Sequence, residues 1–439
     1  MADGDRRLAV WSFGRRVGTL VETSDGIGFC YAQDWVADDM PPLSQSLPRD
    51  GSFTDEAAAA FFGGLLPEGE PRRQLARILG VSQGNDYSML AAIAGDTAGA
   101  ITLLPEGLRP SSVVDDVEWL DDDGLVSLLE DLPSRPMHVD ADGEYRLSLA
   151  GAQDKLPVVV GNDGRIGLTR GQTPSTHIIK TPIERLEHTV VNEAFCPMIG
   201  RELGMEVVNA VPHRVAGREF LLVERYDRRR LSGGIMRLHQ EDFCQALGIP
   251  AERKYQAEGG PSLPDCFALI RRTSEVPAQE VLKMLDYVAL NFLVGNHDAH
   301  GKNYSLLYLP ESPHAVLAPA YDVLSTFAYR KTHNLTRKMA MSIGGEYRPE
   351  YVRARHLDRL FDEAGLGAAA ARRRLREFAR HAPDAARVGR QRLIAGGWDA
   401  SVLELIVDLV KRRAELMLEI TAPVSASVKR QPREGSQRS

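Results

Sequence analysis

Hydrophobic and polar positions alternate over the first 31 residues and then change to a repeat of three to four. Residues 8–13 and 16–22 read as two strands joined by a Gly-Arg turn, and 26–31 as a third. Asp55 opens a helix that runs through an alanine stretch to Leu66 and is stopped by Pro67, Glu68 and Gly69. Helices at 71–79 and 87–94 and a strand at 98–104 complete a small α+β unit over residues 1–105. Residues 106–144 are rich in Pro, Gly and acids (DDVEWLDDDG) and read as an acidic connector with one short helix around 125–132. Over 145–239 short strands return, at 146–149, 156–160, 177–180, 207–215 and 219–224, with one long helix at about 188–203. From 240 to 423 the repeat is helical, most clearly at 279–292, 368–379 and 402–420. The polar, basic end, 424–439, reads as a disordered tail.

Composition narrows the class. Hydrophobic residues are 43% and charged residues 26%, the balance of a globular protein with an ordinary core. The net charge of −7 argues against a chain that coats nucleic acid, and the arginine clusters 228–230 and 372–374 read as solvated faces. The four cysteines are far apart and form no CxxC pair, so neither a disulfide framework nor a thiolate zinc site is expected. No signal peptide and no apolar run of membrane length is legible, and the expected location is cytoplasmic.

Three segments carry candidate chemistry. In 295–303, GNHDAHGKN, an aspartate is followed five positions later by an asparagine, the spacing of a kinase catalytic loop. Phosphoryl transfer needs a carboxylate to orient the attacking hydroxyl and take its proton, an amide oxygen for a magnesium ion, and a cation to offset developing charge. Asp298, Asn303 and Lys302 fit those roles. In 317–323, LAPAYDV, Asp322 follows an apolar strand where kinases place a magnesium-binding carboxylate. Lys180 ends the apolar strand HIIK and can aim a point charge at the nucleotide phosphates, with Glu193 on the next helix as its candidate partner. Each segment alone is weak, but their order on suitable elements is that of a kinase.

The chain resembles HipA-type toxin kinases over nearly its full length. The matching pieces are FFGGLLPEGEPRRQLAR, GDTAGAITLLP, RLSLAGAQDKLPV, THIIKTP, VNEAFC, LLVERYDRR, RLHQEDFCQALGIPAERKY, LVGNHDAHGKN, LAPAYDVLS and KMAMSIGG. The resemblance implies an α+β, kinase-like two-lobed fold related to protein and phosphoinositide kinases. A small β-rich N-terminal subdomain would precede a nucleotide-binding lobe and a mostly helical C-terminal lobe. It implies ATP and Mg2+ as cofactors, Asp298 as catalytic base, and Asn303 and Asp322 as magnesium ligands. ATP would also be held by Lys180, by the backbone of Glu224, Arg225 and Tyr226, and by His300, Gly301, Lys302 and Tyr321. The loop Ala150, Gly151, Ala152, Gln153, Asp154 and Lys155 would replace a glycine-rich phosphate loop, although it holds one glycine. Ser148 aligns with the serine that family members autophosphorylate. His297 stands where protein kinases carry arginine, so control through a phosphorylated activation segment is not expected.

The resemblance also implies partners. These are a HipB-like helix-turn-helix antitoxin, operator DNA reached mainly through that antitoxin, and a protein substrate in translation such as an aminoacyl-tRNA synthetase; no membrane is implied. Three other readings stay open. A metal-dependent phosphohydrolase could use His297, Asp298 and His300 as ligands. A kinase of the same fold could act on a small molecule or lipid. A non-catalytic scaffold could support an antitoxin on DNA.

Overall fold

The computed structural model describes residues 6–423 apart from 25, 39, 94–95, 111–115, 133–154, 172, 233, 331–332 and 334. The alternating start of the chain forms β1 (Arg7–Ser12), β2 (Arg15–Thr23) and β3 (Gly26–Tyr31). Four helices follow, α1 (Gln33–Ala37), α2 (Asp55–Gly63), α3 (Gly69–Leu79) and α4 (Asp86–Ile93), and then β4 (Ile101–Pro105). The strands make one antiparallel sheet in the order β3-β2-β1-β4. Thr54 caps α2 by accepting from the Ala57 N–H at 3.2 Å. The helix stops at Gly63, before the expected 66, because the next turn meets the rest of the protein. A Cβ at Gly64 would lie 2.8 Å from Gln245 Cγ, and the Gln245 amide donates to the Phe61 carbonyl at 2.8 Å.

The second unit is a six-stranded sheet, β5-β7-β6-β8-β10-β9. Its elements are β5 (Val117–Trp119), α5 (Asp122–Asp131), β6 (Lys155–Val160), β7 (Ile166–Thr169), β8 (His177–Lys180), α6 (Thr189–Glu202), β9 (Ala210–Val215) and β10 (Arg218–Glu224). The stretch expected as a connector therefore supplies an edge strand, β5, paired antiparallel with β7. It also supplies a helix whose Leu125, Leu128 and Leu129 are buried. Acidic residues dominate its sequence because only one face of α5 is covered. Leu20, Phe62 and Leu66 of the first unit share a contiguous core with Leu156, Ile179 and Phe220 of the second.

The third unit holds β11 (Arg228–Leu231), β12 (Gly234–Arg237), β13 (His239–Asp242), α7 (Phe243–Ala246), α8 (Leu263–Thr273), α9 (Pro277–Val294), β14 (Ser305–Tyr308), β15 (Ala315–Leu317), α10 (Ala354–Glu363), α11 (Ala368–Ala395) and α12 (Ser401–Ile420). It is mostly helical, as the resemblance implied. Phe267, Met284, Leu290, Phe361, Leu403 and Val410 fill its core together with Phe195 of α6. The helix α11 runs well past 379, through Pro383, because Ala382, Ala385 and Ala386 continue its buried face. Among the described residues, no helix is long and apolar enough to cross a membrane.

The arginine cluster 228–230 is not simply a solvated face. The Arg228 side chain is 2% exposed and is bonded to Asp96, which is fully buried. Asp96 also faces Arg225 and Arg237 and accepts from the Ser175 N–H at 3.0 Å, while Arg225 donates to both oxygens of Asp227, at 2.9 and 2.7 Å. Burial alone would raise the Asp96 carboxyl, but the guanidinium groups of Arg228, Arg225 and Arg237 outweigh it and hold the group far below its ordinary value. Replacing Asp96 with alanine strands buried cations, a change of the kind that costs roughly 3–5 kcal/mol. The expected outcome is a clear drop in the urea midpoint of the Asp96→Ala protein, measured by far-UV circular dichroism; an unchanged midpoint would contradict this account.

Candidate active site

A cleft of about 1380 Å3 lies between the six-stranded sheet and the helical unit, and residues of the N-terminal unit also line it. Its upper wall is built by β6 and β8. Lys155 and Lys180 are direct cross-strand partners there, at the paired ends of the two strands. Like charges placed opposite one another on a sheet repel, so this pair needs anions. Lys180 Nζ has two, Glu193 and Asp322, both in hydrogen-bond contact. Glu193 is available because α6 begins just after His188, whose φ of +59° turns the chain into the helix, and its side chain faces inward.

Asp322 approaches from the opposite wall. Beyond β15 the chain stays extended, tied by the Tyr287 hydroxyl donating to Ala318 O at 2.9 Å and by the Tyr321 hydroxyl donating to Lys302 O at 2.6 Å. At Asp322 φ is +52°. That left-handed conformation is uncommon for a residue with a side chain and clusters at functional sites. It carries the carboxylate back into the cleft. Burial would raise its pKa, yet Lys180 and Lys155 outweigh that and lower it to about 2, so it is an anion at neutral pH. The same surroundings act on Lys155: burial, helped by Lys180 and opposed by Asp322, lowers it to about 8.

The loop after α9 is held from several sides. Gly295 ends the helix at φ +72°, where a Cβ would lie 2.7 Å from Leu409 and 2.8 Å from Phe327. The His297 N–H donates to Thr326 Oγ1 at 2.9 Å, and the Asp298 N–H donates to Asn296 Oδ1 at 3.1 Å. Asp298 opens onto the cleft and accepts from the Tyr255 hydroxyl at 2.7 Å. Asn303 turns its Oδ1 into a buried position where it has no hydrogen-bond partner. A buried acceptor left unpaired is costly. Asn303 and Asp322 both line the cleft, and an amide oxygen with a carboxylate suits a hard cation, which takes oxygen ligands and keeps room for phosphate oxygens. Among the described residues no group of three histidine, cysteine or acidic side chains could hold a metal ion.

Lys302 differs in placement from the expectation that it offsets phosphate charge. Its ammonium is buried and bonded to Asp242 Oδ2 at 2.6 Å and to Gly64 O at 3.2 Å, so its charge is already compensated. Asp242 can hold it because it ends β13, which pairs with β14 just beyond the loop. Gly301 is packed away from the cleft wall, where an added Cβ would meet Cys244 Sγ and Pro261 at 2.7 Å. His300 lines the cleft, with its Nδ1 buried and unpaired.

The strand end at 224–226 also lines the cleft. The Glu224 and Arg225 N–H groups donate to Asn209 and Thr176 carbonyls, both at 2.9 Å. The Tyr226 N–H has no partner among the described residues. The Arg225 side chain turns into the Asp96 cluster rather than toward the cleft floor. Tyr226 stacks on Tyr321, with ring centroids 5.5 Å apart. The candidates Ser148, Ala150, Gly151, Ala152, Gln153 and Asp154 lie outside the described residues.

Cleft residues not singled out from the sequence include Glu68, Asp242, Lys254 and Tyr255. Lys254 Nζ bonds to Glu68 Oε2 at 2.7 Å, which brings the N-terminal unit to the rim of the cleft. The only signal for them was that they fall within two of the family-like segments, FFGGLLPEGEPRRQLAR and RLHQEDFCQALGIPAERKY.

Comparison with known proteins was made against this geometry. A model of the HipA-like C-terminal domain matches residues 147–386, and a model of the HipA N-terminal domain matches 8–104. The putative kinase Y4mE of Sinorhizobium fredii is 46% identical over 84% of this chain and 88% of its own length. The serine/threonine-protein kinase toxin HipA of Shewanella oneidensis is 34% identical over 78% of this chain and 79% of its own. A solved structure of Shewanella oneidensis HipA with HipB and its operator DNA superposes with a TM-score of 0.81 at 30% identity, covering 94% of this chain and 98% of that one.

Proposed function

From its membership in the HipA family, to which this chain belongs, we propose that the protein is an ATP- and magnesium-dependent serine/threonine kinase, the toxin of a toxin–antitoxin pair. One observation carries the reading: Lys180, paired with Glu193, meets Asp322 in the same cleft that Asp298 faces. That is the set of charges a phosphoryl-transfer site requires.

The roles follow from the chemistry. Lys180 and Lys155 attract the phosphates, and the Tyr226 N–H offers the adenine a backbone donor. Asn303 and Asp322 would hold magnesium, which when bound shields the phosphate oxygens and spreads their charge. Asp298 orients the acceptor hydroxyl and takes its proton as the new bond forms. Transfer of the γ-phosphoryl group breaks the bond to the β,γ-bridging oxygen, and ADP leaves with that electron pair. Ser148 is the proposed autophosphorylation site.

The similar HipA was solved with HipB and operator DNA. A HipB-like helix-turn-helix antitoxin is accordingly the proposed partner here, with operator DNA reached mainly through it. The proposed substrate is a protein of translation, such as an aminoacyl-tRNA synthetase. Incubation with γ-labelled ATP, magnesium and a cytoplasmic extract of the source organism is expected to label a discrete polypeptide besides the kinase itself. Release of phosphate with no polypeptide labelled would overturn the kinase reading and favour hydrolysis.

A further inference from the structure

Tyr255 stands outside the catalytic loop, between two short 3-10 turns (Ala251–Arg253 and Gln256–Glu258), and yet touches the proposed base. Its hydroxyl donates to Asp298 Oδ1 at 2.7 Å. The segment that carries it is fixed. The Gly260 N–H donates to Tyr255 O at 2.9 Å, the Gln256 N–H to Ala340 O at 3.2 Å, and the Gly301 N–H to Lys254 O at 3.2 Å. The ring meets His300 edge to face at 5.1 Å, and the Lys254 ammonium, itself held by Glu68, lies 5.6 Å from its centroid. The other carboxylate oxygen, Asp298 Oδ2, has no hydrogen-bond partner among the described residues.

A carboxylate has two oxygens, and a general base needs one of them turned to the proton it takes. An aspartate side chain free to rotate spends part of its time in other orientations, and small misplacement at a reacting centre is costly. We infer that Tyr255 is a positioning residue for phosphoryl transfer: by engaging Oδ1 of Asp298 it presents Oδ2 to the acceptor hydroxyl. The inference rests on the kinase reading above. In the transfer step the acceptor proton passes to Oδ2 as the acceptor oxygen bonds to phosphorus, while Tyr255 keeps its own proton and its bond to Oδ1.

A second effect separates this role from simple packing. After desolvation, Tyr255, Lys254, Asp322 and Glu68 are the groups that act most strongly on the Asp298 carboxyl. The protein around it raises its pKa above the ordinary value, and the Tyr255 hydroxyl and the Lys254 cation work against that rise. Removing the hydroxyl removes a donor that favours the ionised form. The base then needs a higher pH to be active, and the acidic limb of the rate profile moves upward.

The test uses the full chain and its Tyr255→Phe variant, with MgATP as the probe. The readout is all γ-phosphate transferred, to water or to the chain itself, measured against pH and ATP concentration. The variant is expected to keep its thermal midpoint and its KM for ATP, to lose about tenfold in kcat, and to show an acidic limb displaced upward by roughly one pH unit. A rate and profile equal to the unmodified protein would overturn the role of Tyr255 while leaving the kinase reading intact. A lower rate with an unmoved acidic limb, or with a weakened KM for ATP, would overturn it as well, by showing a structural effect. No transfer by the unmodified protein would overturn the kinase reading and this inference together.

Discussion

Asp298→Asn is expected to slow phosphotransfer by about 10²–10⁴-fold, the usual contribution of a positioned general base, while ATP still binds. The substitution is nearly isosteric, and the amide oxygen of the new side chain can still accept from the Tyr255 hydroxyl, which bonds Asp298 at 2.7 Å. Nothing that would hold the nucleotide is altered: Lys155, Lys180 and Asp322 stay in place on their own strands and turns. The measurement pairs an ATP titration, expected to be unchanged, with γ-phosphate labelling, expected to be nearly absent. Undiminished labelling would remove Asp298 from the chemistry.

Asp322→Asn should have the second largest effect, and on a different quantity. Asparagine is the variant to make, because φ at this position is +52° and asparagine tolerates the left-handed region better than alanine. Asp322 carries a full negative charge, since Lys180 and Lys155 outweigh burial and hold its pKa to about 2. The substitution replaces an anionic carboxylate ligand for a hard cation with a neutral, weaker amide oxygen and releases Lys180 from one of its two carboxylate partners. Nucleotide without metal should bind about as well as before or better. The gain in affinity on adding magnesium should shrink sharply, and transfer should fall by at least about 100-fold. Isothermal titration with and without magnesium decides it; a metal dependence equal to that of the unmodified protein would exclude Asp322 as a ligand.

What could be read from the sequence depended on how far apart the cooperating residues lie. Asp298 and Asn303 share one short loop, and Asp322 follows two short strands later, so spacing alone brought them forward. Lys180 and Glu193 were legible together because a strand-ending lysine and a glutamate on the next helix are only 13 residues apart. Tyr255, Lys254 and Glu68 join the cleft from segments that no local pattern connects. Their meeting is decided by how the N-terminal unit packs on the helical one. Lys302 was placed correctly along the chain but not in its partner, since Asp242 sits 60 residues upstream. Arg228 shows the same limit: a run of three arginines looks alike whether it faces water or a buried carboxylate 132 residues away. Among the described residues, strand and helix positions followed the apolar pattern closely; the expected strand 146–149 and tail 424–439 lie outside them. Departures fell at α2, which stops at Gly63 instead of Leu66, at α11, where arginines and Pro383 masked a continuous alanine face, and at β5, which is too short to show an alternation.

The buried carboxylate at Asp96 has a consequence for engineering with relatives of this chain. The N-terminal unit supplies the anion, and Arg225, Arg228 and Arg237 on the far side of the junction supply the cations. A hybrid that grafts this N-terminal unit onto a catalytic half lacking those arginines would inherit one half of an electrostatic lock without its key. Such chimeras should be soluble only when both sides of the junction are transplanted as a set, so the crossover point matters less than the company each charge keeps.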